Sequence, residues 1–224
     1  MARLRLGVLI SGRGSNLQAL IEAASDPAYP AEIAVVVSDR EAAAGLARAA
    51  AAGIPATVVP HRDRARFAAE TDALLRGKGV GLVCLAGFMR VLEEGFVEAW
   101  RDRMINIHPS LLPAFKGLHA QRQALAAGVR FAGCTVHFVR PEIDAGPILA
   151  QAVVPVHFDD DEERLSARIL AAEHRLYPLA VRLIAEGRVH VESGRAAIAG
   201  ARPPQIAALN PADGGDKRLA TTRG

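Results

Sequence analysis

Residues 4–16 read LRLGVLISGRGSN: an apolar run, then a turn with two glycines, then polar residues that can begin a helix. The apolar run has the length and composition of a buried strand. The apolar residues after the turn, Leu17 and Leu20 first, recur at helical spacing, which predicts a helix capped by Ser15 or Asn16. A strand, a tight glycine turn and a helix in this order form the first unit of an α/β fold.

Alternating apolar runs and helical patterns continue to about residue 110 and indicate a parallel sheet. Val80–Leu85 is apolar throughout, which is typical of a parallel strand that helices cover on both faces. Farther on, Cys134–Val139 alternates like a half-exposed strand, Pro147–Val154 reads as its partner, and Val189–Val191 is expected to add an edge strand. We therefore expect an α/β fold with a Rossmann-like open, mostly parallel twisted sheet, helices on both faces and an antiparallel edge extension.

The length fits one large domain or two small ones, and the composition is that of a globular protein. Of the 224 residues, 50% are hydrophobic and 23% are charged, which excludes wholesale disorder. The formal net charge of +3 suits anionic small molecules without requiring nucleic acid, and an aromatic content of 4% leaves few surfaces for stacking bases. We expect a single domain over residues 1–198 and a disordered tail over residues 199–224, where the periodic pattern is lost.

No segment of the sequence indicates export, a membrane span or a metal site. The first apolar run ends at Ser11, too early for a signal peptide, and no run approaches the roughly 18 apolar residues of a membrane span. Cys84 and Cys134 lie in apolar runs and are expected to be buried and reduced, and neither HExxH nor paired CxxC motifs occur. We expect a cytoplasmic protein, a monomer or a homodimer, that acts on small molecules without a metal, a nucleic acid or a membrane.

The turn at residues 11–16 is a candidate anion site. In an open α/β sheet, ligands bind beyond the carboxyl ends of the strands, where this turn is expected to lie. Its glycines let the backbone approach a ligand closely, and the free N–H groups of the following helix favour a phosphate. A dinucleotide fingerprint would need a third glycine where Leu17 stands, although Asp39 occupies the place of a ribose-binding acid. A nucleotide-binding Rossmann-type module is therefore an alternative.

A second candidate site lies at the end of the predicted strand 104–108. Asn106 and His108 alternate with apolar residues, so their side chains point to the same side of the strand. An amide and an imidazolium can both donate to a carbonyl oxygen that gains negative charge, and an imidazole can pass a proton near neutral pH. Asp144 lies on a turn, where a carboxylate is usually solvated, but beside His108 it would favour the protonated ring.

Several segments carry a family resemblance. The chain contains LISGRGSNLQA at residues 9–19, LAGFMR at 85–90, NIHPSLLP at 106–113 and DAGPI at 144–148. Together with GLH at 117–119 and AEH at 172–174, they resemble the phosphoribosylglycinamide formyltransferase family over about residues 5–190. The NIHPSLLP segment also marks the wider superfamily of enzymes that use formyltetrahydrofolate, and Arg13 stands where the family often has Asn.

The resemblance implies a reaction and a site. A formyl group would pass from the co-substrate 10-formyltetrahydrofolate to the amine of 5'-phosphoribosylglycinamide, directly and through a tetrahedral intermediate, in de novo purine biosynthesis. The implied catalytic set is Asn106, His108 and Asp144. The residues implied to bind phosphoribosylglycinamide are Gly14, Ser15 and Asn16 for the phosphate and Glu173 for the ribose hydroxyls. Those implied to bind folate are Met89, Arg90, Val91, Leu92 and Asn106 for the pterin and Arg64 for the glutamate tail.

Two related activities share parts of this pattern. A formyltetrahydrofolate hydrolase would use the same amide, imidazole and carboxylate with water as the acceptor, and it would not need the phosphate turn. A methionyl-tRNA formyltransferase would need a basic C-terminal RNA-binding domain, for which the tail after residue 198 is too short.

Overall fold

Strands and helices alternate along the chain, and the computed structural model describes residues 2–202 and 208–210. The strands are β1 (Leu4–Ile10), β2 (Ala31–Ser38), β3 (Ala56–Val58), β4 (Leu82–Leu85), β5 (Met104–His108), β6 (Phe131–Phe138), β7 (Ile148–Pro155), β8 (Val189–Glu192) and β9 (Arg195–Ile198). The helices are α1 (Ser15–Ser25), α2 (Gly45–Ala51), α3 (Arg64–Gly77), α4 (Glu94–Ala99), α5 (Ala120–Ala126) and α6 (Glu162–Ala185).

The main sheet has the strand order β3-β2-β1-β4-β5-β6-β7. Pairing is parallel from β3 to β5, and β6 runs antiparallel to both β5 and β7. The predicted fold class, a mostly parallel open sheet with an antiparallel extension, is confirmed. The strand order changes direction between β1 and β4, and ligands bind at such switch points in open α/β sheets. The segments that follow β1 and β4 therefore flank the expected binding crevice.

Apolar side chains pack against both faces of the sheet, because successive residues of a strand point to opposite sides. On one face, Val8 and Ile10 of β1 pack in a cluster with Leu17 of α1 and Leu165 of α6. On the other face, Leu9 belongs to a cluster with residues of α3 and α4. This double cover explains why the central strands are apolar throughout.

Two details of the predicted sheet are wrong. Strand β6 is buried along nearly its whole length instead of half-exposed, because it lies between β5 and β7 and packs against α6. Val189–Val191 does not add an edge strand to the main sheet, since β8 pairs with β9 in a separate hairpin. The turn of this hairpin is Ser193-Gly194, and both residues have positive φ. Two-residue turns with positive φ favour hairpins, which accounts for the local pairing.

Among the described residues, no helix is long and apolar enough to cross a membrane. Cys84 and Cys134 are buried, and neither forms a disulfide within the described part of the chain. The predicted disordered tail includes residues 203–207 and 211–224, which lie outside the described residues. Within the described piece 208–210, Asn210 Nδ2 donates to the carbonyl oxygens of Arg130 and Val156.

Candidate active site

The carboxyl end of β5 brings an amide and an imidazole to the crevice. Asn106 is partly buried and His108 is 6% exposed. Strand β6 runs antiparallel beside β5, and its register pairs Asn106 with His137. Asn106 Nδ2 lies 3.3 Å from His137 Nε2. The sheet therefore places Asn106 between two imidazoles, one on its own strand and one on the next.

Asp144 lies beside both imidazoles. It sits in the connection between β6 and β7 with φ of +50°, a conformation that Asp adopts more readily than most residues. Its Oδ2 is 3.4 Å from His108 Nδ1, and its Oδ1 is 3.7 Å from His137 Nε2. The backbone N–H of Gly117 donates to Oδ2 at 2.8 Å. Asp144 is thus held between the strand ends and the loop that follows β5.

Both ring nitrogens of His108 face acceptors. Nδ1 faces the carboxylate of Asp144, and Nε2 donates to the carbonyl oxygen of Phe115 at 3.0 Å. A neutral imidazole carries one N–H and an imidazolium carries two. Each ring nitrogen of His108 therefore has an acceptor within reach for an N–H group. Phe115 has φ of +55°, which is uncommon for a bulky residue and stores strain in the loop.

The glycine turn after β1 opens into a cavity of about 770 Å³. Gly14, Ser15 and Asn16 line it together with Glu173 of α6. Ser15 and Asn16 do not cap α1 as predicted: Gly14 is the N-cap residue, and no side chain among the described residues bonds to the cap position. Glycine is required there because φ is +69°. The first N–H groups of α1 are left for a ligand.

Asn16 and Glu173 meet inside this cavity although 157 residues separate them, with Asn16 Nδ2 donating to Glu173 Oε2 at 2.8 Å. Glu173 is 6% exposed. Burial raises the pKa of its carboxyl group to about 7, and the hydrogen bond from Asn16 acts in the opposite direction. Near neutral pH, this carboxyl group can therefore be either a donor or an acceptor.

The segment after β4 lies across the switch point from the glycine turn. Met89 and Val91 are largely exposed, whereas Leu92 is buried. The backbone N–H of Met89 donates to Ser11 Oγ at 2.9 Å, so this segment is bonded directly to the glycine turn. Arg64 Nε and Nη2 lie 3.3 Å and 3.4 Å from the carbonyl oxygens of Val91 and Leu92. Arg64 therefore lies beside this segment, where a separate cavity of about 400 Å³ opens.

Asp39 at the end of β2 contacts this segment instead of an open crevice. Its side chain is fully buried, and its Oδ2 is 2.7 Å from Nε of Arg90. A ribose-binding acid of a dinucleotide site would have to face the ligand. Because Asp39 is paired with Arg90, it does not face a ligand as the nucleotide-binding alternative requires.

Comparison with known proteins decides the family. A family model described as formyl transferase matches residues 4–181. The chain belongs to this formyl transferase family. Phosphoribosylglycinamide formyltransferase of Escherichia coli (strain K12) is 41% identical over 206 residues, which cover 90% of this chain and 97% of that protein. The solved glycinamide ribonucleotide transformylase 1 from Symbiobacterium toebii is 51% identical with a TM-score of 0.85, over 88% of this chain and 94% of that one.

A longer protein also contains a similar region. The trifunctional purine biosynthetic protein adenosine-3 of Bos taurus is 49% identical over 197 residues. The match covers 86% of this chain, which spans only 20% of that relative's length. The resemblance drawn from the sequence motifs is confirmed at the level of the family.

His137, which lies beside Asn106 and Asp144, was not among the site residues predicted from the sequence. Burial lowers the pKa of its ring, so the neutral form prevails near neutral pH. Nδ1 donates to the carbonyl oxygen of Phe138 at 3.0 Å, which leaves Nε2 to accept from Asn106. The sequence does place His137 in a predicted strand. That it faces Asn106 depends on the register between β5 and β6, which the sequence pattern does not give.

The described residues of this formyl transferase contain no cluster of three or more His, Cys, Asp or Glu side chains suited to a metal ion. The side chains brought together are instead those of an acid–base and hydrogen-bonding site. Asn106, His108 and Asp144 converge at the end of β5. The glycine turn and Glu173 form a second cluster, and residues 89–92 with Arg64 form a third.

Proposed function

We propose that the chain transfers the formyl group of 10-formyltetrahydrofolate to the amine of 5'-phosphoribosylglycinamide, giving formyl-phosphoribosylglycinamide and tetrahydrofolate in purine biosynthesis. The observation that carries this proposal is the convergence of Asn106, His108 and Asp144 at the same end of the sheet as an uncapped helix N-terminus. The names of the Escherichia coli relative and of the Symbiobacterium toebii structure support it.

The glycine turn is suited to the substrate phosphate. The N–H groups at the start of α1 and the positive end of its dipole attract an anion. We assign phosphate binding to Gly14, Ser15 and Asn16, which line one cavity with Glu173. Glu173 would then bond the ribose hydroxyls, because it lines the same cavity and is hydrogen-bonded to Asn16. The same cavity also reaches Ile107 and Pro109 at the end of β5, where the amine of the substrate would lie.

The folate is assigned to the segment after β4. Met89, Arg90, Val91 and Leu92 would line the pterin slot, and Asn106 of the adjoining strand would face it. Arg64 lies against the carbonyl oxygens of Val91 and Leu92 in this segment. Its guanidinium can bind a carboxylate there, which suits the glutamate tail of the folate.

The reaction exchanges one bond for another at the formyl carbon. The amine nitrogen bonds to the formyl carbon, a tetrahedral intermediate forms, and the bond from that carbon to N10 of the folate breaks. One proton leaves the amine nitrogen and one reaches N10. Negative charge builds up on the formyl oxygen, so fixed N–H donors aimed at this atom lower the barrier.

Asn106 and His108 are assigned as those donors. One hydrogen of Asn106 Nδ2 is held by His137, which leaves the other for the formyl oxygen. The N–H of His108 Nε2 donates to the carbonyl oxygen of Phe115 in this structure, so in the reaction this N–H would exchange that oxygen for the formyl oxygen. Asp144 faces Nδ1 on the opposite edge of the ring and would fix the orientation of the imidazole.

An assay of folate release tests the proposal. Purified protein is mixed with 10-formyltetrahydrofolate, with and without phosphoribosylglycinamide, and tetrahydrofolate is followed. We expect release only with the ribonucleotide, and a fall in kcat of about 10²–10³ in His108→Ala. Equal release without the ribonucleotide would make the protein a hydrolase. Wild-type turnover in both His108→Ala and Asp144→Asn would refute the assigned mechanism.

A further inference from the structure

Two residues of helix α2 hold the backbone of the glycine turn from outside the cavity. The backbone N–H of Gly45 donates to the carbonyl oxygen of Gly12 at 3.0 Å. Arg48 Nε donates to the carbonyl oxygen of Arg13, also at 3.0 Å. The next carbonyl, that of Gly14, accepts the first hydrogen bond of α1. Three consecutive carbonyl oxygens are therefore engaged by groups that are not among the residues lining the cavity.

Helix α2 also lies in direct backbone contact with the turn. A Cβ atom added to Gly14 would be 2.6 Å from the Cα of Gly45. A Cβ atom added to Gly45 would be 2.5 Å from Cδ1 of Ile10 and 3.2 Å from the Cα of Gly14. Neither position has room for a side chain. The start of α2 and the turn can therefore pack this closely only because both positions are glycine.

We propose that Gly45 and Arg48 are positioning residues for the phosphate of the substrate. A phosphate is bound by N–H groups and repelled by carbonyl oxygens. A flip of the peptide after Gly12 or Arg13 would point a carbonyl oxygen into the cavity in place of an N–H. Helix α2 opposes both flips because it holds those two oxygens. The inference rests on the proposed function, which assigns the substrate phosphate to this turn.

The test separates phosphate binding from catalysis. In Arg48→Met, the KM for phosphoribosylglycinamide and its Kd, measured calorimetrically without folate, should each rise about tenfold. The kcat and the KM for 10-formyltetrahydrofolate should change less than about twofold, because α2 does not touch the reacting atoms. Arg48→Lys keeps a donor and should recover most of the affinity. Gly45→Ala changes no charge and should weaken binding of the same substrate.

Matched controls come from outside the site. Gly77 has open space at its Cβ position among the described residues, and Arg195 is exposed in β9. Gly77→Ala and Arg195→Met should therefore leave the KM for phosphoribosylglycinamide unchanged. Circular dichroism identifies variants that do not fold, and Arg48→Met decides alone if Gly45→Ala fails to fold.

The outcomes distinguish this inference from the proposed function. Wild-type affinity for phosphoribosylglycinamide in Arg48→Met, or a loss confined to kcat, would overturn the positioning role. If the wild-type protein transfers no formyl group, the proposed function fails instead. Calorimetric titration with inorganic phosphate then still tests α2: weaker binding in Arg48→Met supports the inference, and equal binding refutes it.

Discussion

Among single residues, Glu173 links burial to a measurable pH dependence. Burial raises the pKa of its carboxyl group from the ordinary value of 4.5 to about 7. Between these two values, the folded protein keeps the proton that the unfolded chain releases. The free energy of unfolding therefore falls as pH rises through this window, and the loss is complete above the folded-state pKa.

Glu173→Gln removes this titration. We expect the variant to exceed the wild type in free energy of unfolding by about 1–3 kcal/mol at about pH 8, and by little at about pH 4. Thermal unfolding at the two pH values, without substrate, measures the difference. A stability gain of equal size at both pH values would show that Glu173 does not carry this proton.

The residues around Asn106 show which contacts of the site could be predicted from the sequence and which could not. Asn106 and His108 are two positions apart on one strand, so alternation alone was enough to place them on one side. Asp144 reaches His108 only because the connection between β6 and β7 folds back over β5. His137 faces Asn106 because of the register of two strands, which depends on pairing across the sheet and not on local pattern.

At the scale of elements, the ion pair between Asp39 and Arg90 joins the end of β2 to the segment after β4. The Asp39 side chain is fully buried, while that of Arg90 is 41% exposed. Breaking such a pair leaves a buried carboxylate without its partner. We expect Arg90→Met to lower the free energy of unfolding by about 1–3 kcal/mol, and Asp39→Asn in the same chain to restore most of this loss.

Urea unfolding of the two single variants and the double variant measures this coupling. The exposed pair of Arg66 and Glu70 is a matched control, with 79% and 44% of the side chains exposed. Arg66→Met should lower the free energy of unfolding much less than Arg90→Met does, because solvent screens an exposed ion pair. If the double variant is as unstable as Arg90→Met, then Arg90 stabilises the segment by packing and not by its charge.

The boundaries of helices and strands could be predicted where a periodic apolar pattern sets them. The prediction was wrong where the residues of a turn or a helix cap set them. The strand–turn–helix unit at the start of the chain was found because its apolar residues are regular. The cap of α1 was misassigned, since Asn16 bonds to Glu173, which is far away in sequence. The hairpin of β8 and β9 was missed because its turn, Ser193-Gly194, was not recognised.

At the scale of the whole molecule, the assigned site residues all lie between Gly14 and Glu173, and the family match ends at residue 181. The hairpin of β8 and β9 follows this region, and the backbone N–H of Ala199 donates to the carbonyl oxygen of Arg188 at 2.8 Å. Beyond it, the side chain of Asn210 is bonded to the carbonyl oxygens of Arg130 and Val156. Asn210 thus contacts the residue before β6 and the residue after β7, and neither of these is an assigned site residue.

A chain that ends at Arg202 tests the predicted domain, residues 1–198. We expect it to fold and to keep the kcat of the full chain, because every residue assigned to the reaction is retained. The lost hydrogen bonds of Asn210 should lower Tm by about 2–5 °C. Asn210→Ala in the full chain is the matched control and should lower Tm by a similar amount. If the shortened chain aggregates or loses activity while Asn210→Ala does neither, residues after 202 belong to the domain.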